Sequence, residues 1–105
     1  MAFPVTSGLL DAFVLSVVSK EDTYGYRITQ EIQIAIDVSE STLYPVLRRL
    51  QKDSCLEVYD VEFMGRNRRY YKLTAKGKHQ LAVYIEDWNI FKQKIDKVLY
   101  GGELA

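Results

Sequence analysis

The chain has 105 residues, of which 27% are charged, with 14 Lys+Arg matched by 14 Asp+Glu. This length favours one domain with a real but small core, and the ordinary apolar fraction excludes a low-complexity chain. No stretch approaches the ~20 apolar residues needed for a membrane span.

The neutral total hides an uneven distribution. Residues 1–47 carry Lys20 and Arg27 against Asp11, Glu21, Asp22, Glu31, Asp37 and Glu40. Residues 48–79 carry Arg48, Arg49, Lys52, Arg66, Arg68, Arg69, Lys72, Lys76 and Lys78 against Asp53, Glu57, Asp60 and Glu62. Local potential governs what a surface attracts, so a nucleic-acid partner is compatible with zero net charge.

In "MAFPVTSGLLDAFVLSVVS" no basic leader precedes the apolar run. Leu10, Phe13, Val14, Val17 and Val18 fall at i, i+3, i+4, i+7 and i+8. This predicts a packed helix over about 7–19 and not a signal peptide. A second helix is expected from near Thr23, with Ile28, Ile32, Ala35 and Ile36 as its apolar stripe. Asp37 and Val38 form a short link. Either Ser39 or Ser41 suits the N-cap of a third helix. With Ser39, Pro45 lies past the free first turn and removes one backbone bond; with Ser41 the conflict nearly vanishes. Leu43, Val46, Leu47 and Leu50 form its inner face, and Arg48, Arg49 and Lys52 its outer side.

From Leu56 the period shortens to two. "LEVYDVEF" and "RRYYKLT" flank "MGRN" and read as a β-hairpin with a loop of moderate length. Tyr59, Val61 and Phe63 share one face of the first strand, and Tyr71 and Leu73 one face of the second. Thr74 caps a last, long helix. Leu81, Trp88 and Ile95 are spaced by seven, as are Tyr84, Phe91 and Val98. These are a and d positions over three heptads. Ile85 and Leu99 widen the stripe, and Gly101 and Gly102 end it.

This order predicts an α+β, mostly helical fold: a winged helix-turn-helix over 1–74 with a long C-terminal dimerisation helix over 75–105, in one compact unit. The third helix is the reader and the hairpin the wing. Candidate DNA contacts are Ser41, Thr42 and Tyr44 at the reader's start. One of Arg48 and Arg49 should also reach the duplex. Arg66 and Arg68 in the wing should meet phosphates or the minor groove, with Arg69, Tyr70 and Lys72 as second-rank candidates. A lone His79 makes no metal site. Cys55, the sole cysteine, reads as a small buried hydrophobe and fits a reducing compartment. No phosphate loop or nucleophile motif appears, so neither an enzyme nor a cofactor is expected.

"GLLDAFVLSVV", "YGYRITQEI", "STLYPVLRRLQKD" and "GRNRRYYKLT" together resemble the PadR family of bacterial transcriptional regulators, and the short C-terminus is similar to its compact subfamily. The resemblance covers nearly the whole chain. It implies a homodimer built through the last helix and repression through binding near a promoter. It also implies a pocket at the dimer interface for flat hydrophobic compounds, lined by Trp88, with Phe91, Tyr84 and the first helix through Leu10, Phe13 or Val14. Ser54, Cys55 and Asn67 depart from the family's usual glycine, aliphatic residue and proline. The expectation is a bacterial, cytoplasmic, nucleoid-associated repressor on a pseudo-palindromic duplex, with half-sites about one helical turn apart. The alternatives are a winged-helix module that binds protein and a ligand-sequestering dimer without DNA binding.

Overall fold

Apolar residues on several sides make the first helix the hub of the molecule. In the computed structural model, which describes residues 7–101, the elements run α1 (Ser7–Lys20), β1 (Thr23–Tyr24), α2 (Gly25–Ala35), α3 (Glu40–Lys52), β2 (Leu56–Phe63), β3 (Arg66–Leu73) and α4 (Ala75–Tyr100). Gly102 lies outside the described residues. α1 buries Leu10, Val14, Leu15 and Val18 and touches α2, α3, α4 and β3. Leu15 was not on the expected stripe but is fully buried, whereas Phe13 and Val17 are only partly so. A central helix is packed on more than one side, so a single stripe describes it poorly.

The second helix begins two residues later than expected. Thr23 and Tyr24 form a short strand that pairs antiparallel with β3, opposite Tyr71 and Tyr70. The sheet order is therefore β1-β3-β2, with β3 central. Two residues carry no periodicity, so β1 has no signal of its own. α2 contributes Ile28 and Ile32 to the core, and Gln33 Nε2 donates to the Val38 carbonyl at 2.7 Å across the turn to α3.

α3 buries the expected residues, Leu43, Val46, Leu47 and Leu50. Ser39 is its N-cap, with Oγ accepting from the Thr42 amide at 3.2 Å. Pro45 therefore sits inside the helix and removes one backbone bond there. α3 ends in a Schellman motif: the Ser54 amide donates to Gln51 O and the Cys55 amide to Leu50 O. Ser54 occupies the left-handed position at φ 65°.

The hairpin corrects one expectation. "MGRN" is not a loop of moderate length; the turn is Met64–Gly65, and Arg66 and Asn67 already pair with Phe63 and Glu62. Both turn residues have positive φ, 51° and 77°. This fits the two-residue hairpin turn whose twist matches the strands. Leu56 and Val58 lie on the inner face with Tyr71 and Leu73, while Tyr59, Val61 and Phe63 take the outer one.

α4 is capped by Thr74, whose Oγ1 accepts from the Gly77 amide at 3.0 Å. Its first turn rests on the end of α3, where Thr74 Oγ1 donates to Ser54 O at 2.6 Å. Gly77 permits this approach, because a Cβ there would lie 2.2 Å from the Cys55 carbonyl oxygen. Leu81 and Tyr84 pack on the chain's own core, and beyond them the helix is exposed on almost every side.

Candidate nucleic-acid interface

The start of α3 is polar and preorganised. Ser39 Oγ lies 3.0 Å from both Ser41 Oγ and Thr42 Oγ1. Ser41 and Thr42 are exposed. Tyr44 is about one-third exposed, and its hydroxyl donates to Glu40 Oε2 at 3.1 Å. Burial first, then this bond, raises the Tyr44 pKa.

A cleft runs between α3 and the wing. Tyr24, Gly25, Tyr26, Tyr44, Arg48, Arg68, Arg69 and Tyr71 line it. Four residues of the expected set, Tyr44, Arg48, Arg68 and Arg69, thus meet around one concavity although twenty positions separate Arg48 from Arg68. Tyr24 and Tyr26 were not expected there. In sequence "YGY" reads as the start of a helix, and only the pairing of β1 with β3 brings its rings to the cleft.

The outer face of the wing is an aromatic platform. Tyr70 lies between Tyr24, at 5.6 Å centroid to centroid, and Tyr59, at 5.7 Å. Tyr70 is thus half-buried by rings. The Arg68 guanidinium sits 4.1 Å from the Tyr24 ring centroid and 4.5 Å from that of Phe63. Cation–π attraction of this kind fixes the side chain's direction. Tyr59 donates to Asp22 Oδ2 at 2.6 Å, tying the wing to the segment before β1. That bond pushes the Tyr59 pKa up to about 12. Arg66 is exposed beside the turn, in a shallow recess formed with Phe63, Met64, Asn67 and Arg68. Lys72 is exposed opposite Glu57.

Arg49 turns the other way. Its guanidinium forks onto Asp11 of α1, Nη1 to Oδ2 at 2.8 Å and Nη2 to Oδ1 at 2.5 Å. The bond to Asp11 raises the Arg49 pKa. Of the two arginines, one of which was expected to reach the duplex, Arg48 is the one beside the wing. The missed signal was Asp11, a lone acid within an apolar helix that needs a cation to be buried.

On α4, the expected seam residues divide. Leu81 and Tyr84 face the chain's own core, and the Tyr84 hydroxyl donates to Asp11 Oδ2 at 3.0 Å. Trp88, Phe91, Ile95 and Val98 are exposed by 48%, 55%, 40% and 82%, which leaves an apolar stripe without a partner in the monomer. Trp88 and Phe91 are neighbours, with centroids 6.3 Å apart. Leu10 is 7% exposed and belongs to the core, so it is not a surface available to line a pocket; Phe13 is partly buried against that core. Among the described residues no group of His, Cys, Asp and Glu is gathered to hold a metal ion, and no helix is long and apolar enough to cross a membrane.

The transcriptional regulator PadR-like family model matches residues 14–83. An uncharacterized protein of Lysinibacillus sphaericus is 36% identical over 94% of this chain and 95% of its own length. The transcriptional regulator Rv3488 of Mycobacterium tuberculosis is 33% identical over 84% of this chain and 80% of its own. Among solved structures, smu.1704 of Streptococcus mutans superposes with a TM-score of 0.89 at 40% identity, covering 96% of this chain and 95% of that one. The PadR-like regulator BC4206 of Bacillus cereus superposes with a TM-score of 0.81 at 31% identity, covering 90% and 94%.

Proposed function

The chain belongs to the PadR-like family of transcriptional regulators, and on that premise we propose that it is a homodimeric, sequence-specific DNA-binding repressor. The observation that carries the reading is the cleft between α3 and the wing, where Arg48, Arg68 and Arg69 gather in a chain without net charge. In this reading α3 enters the major groove, with Ser41, Thr42 and Tyr44 leading, and Arg66 at the wing meets the minor groove or its phosphates. Arg68 acts from its fixed place between two rings, and Lys72 adds a peripheral charge. Tyr70 supports the platform on which Arg68 lies. Arg49 is withdrawn from the DNA-contacting set.

Dimerisation through α4 is supported by the exposed stripe Trp88–Phe91–Ile95–Val98, which a second copy would cover. Two readers related by a twofold axis would address a pseudo-palindrome. A flat hydrophobic effector would lie against Trp88 and Phe91, with Phe13 at the edge of the site.

The testing experiment is a mobility shift with the duplex upstream of the chain's own gene against a scrambled duplex of equal length. Preference for the upstream duplex is expected, with a steep fall in affinity as salt rises. Equal, weak binding to both would sink the reading. Quenching of Trp88 fluorescence by planar aromatic compounds tests the effector; no saturable quenching across a varied panel would remove it.

A further inference from the structure

Asp11 is 4% exposed, among Leu10, Val14 and Leu15 of α1. A buried carboxylate without partners costs several kcal/mol, so its surroundings must supply donors. They come from two other helices. Arg49 of α3 holds both oxygens in a fork, and Tyr84 of α4 donates to Oδ2. Burial and then the bond to Asp11 raise the Tyr84 pKa, which keeps the donor protonated. Tyr84 also has a particular place on α4. The heptad position before it, Leu81, packs on the core, and the next one, Trp88, is half-exposed. The network therefore lies where α4 leaves its own protomer and fastens the reader helix at the same point.

An apolar contact tolerates sliding, whereas a planar fork and a phenol on one carboxylate fix directions. We infer that Asp11, with Arg49 and Tyr84, is a positioning unit that sets the angle between α3 and α4 and hence the separation of the two reader helices in the dimer. This rests on the dimeric DNA-binding reading above. In that dimer, a rotation of α4 at the seam reaches α3 through the carboxylate.

The test uses full-length chain and a duplex selected by the wild type from a random pool. From it, a series is made with the spacing between half-sites changed by one or two base pairs, together with a duplex holding a single half-site. Wild type should bind the native spacing best. Tyr84→Phe keeps the ring and removes one bond to a charged group. Its preference for native spacing should shrink by about tenfold, while single half-site affinity stays within about twofold. Asp11→Asn should shrink it further; if that variant does not fold, Tyr84→Phe still decides. Unchanged spacing preference in Tyr84→Phe overturns the inference, as does an equal loss on every duplex, which would mark a role in folding alone. Failure of wild type to select any duplex would instead overturn the DNA-binding reading beneath it.

Discussion

Ser54 holds a left-handed conformation at φ 65° where the Schellman motif favours glycine. A side chain there is strained by roughly 1–2 kcal/mol, partly offset because glycine loosens the unfolded chain. Ser54→Gly should therefore stabilise the fold by about 0.5–1 kcal/mol, read as a rise in Tm at fixed protein concentration. A lower Tm would show that the serine makes a compensating contact. Tyr59 offers a test by pH. Its phenol is the bonded form and its pKa is pushed from 10.0 up to about 12 by Asp22. The native state thus holds that proton more tightly than the unfolded one. The stabilisation is complete below pH 10 and disappears as pH rises towards 12. Tyrosinate absorbance should show a late-ionising group that Tyr59→Phe removes. A wild-type titration that ends where the variant's does would contradict the bond.

α4 behaves as two elements joined end to end. Up to Tyr84 it is a core helix; from Ile85 onward it has lost its own protomer's cover. Half a helix with large apolar side chains in water is marginal alone, so its stability must come from packing. Ile95→Lys places a charge on the stripe far from the core and from the reader. It should leave the monomer fold intact and raise the dimer dissociation constant by at least about tenfold, measured by sedimentation equilibrium. A variant that stays as dimeric as wild type would move the seam to another face.

The molecule as a whole is extended, 59 × 32 × 20 Å, with a radius of gyration of 16.0 Å. A self-contained domain of this length would have a radius near ~13 Å. The excess is the projecting part of α4. In the dimeric reading, stability depends on protein concentration, and comparisons of variants hold only at one concentration. Charge acts at this scale too. Arg48→Ala or Arg66→Ala, present twice in a dimer, should reduce the slope of log affinity against log salt by about two. Arg49→Ala should lower thermal stability and leave the slope unchanged, because its charge is satisfied by Asp11. A full slope change on losing Arg49 would return it to the DNA face.

Helices α1 to α4 and the paired strands were legible in the amino-acid order, because their apolar residues recur at 3.6, 3.5 or 2 positions. The clustering of cations after residue 47 was legible too, because it needs only counting. Other features were not, and three of them show why. β1 is too short to have a period. The turn at Met64–Gly65 replaces the usual residues with a methionine in a left-handed conformation. The partition of Arg48 from Arg49 depends on Asp11, thirty-eight positions before Arg49. Adjacent arginines on one helix look alike in sequence, and only the packed core, by burying a carboxylate within reach of one of them, tells them apart.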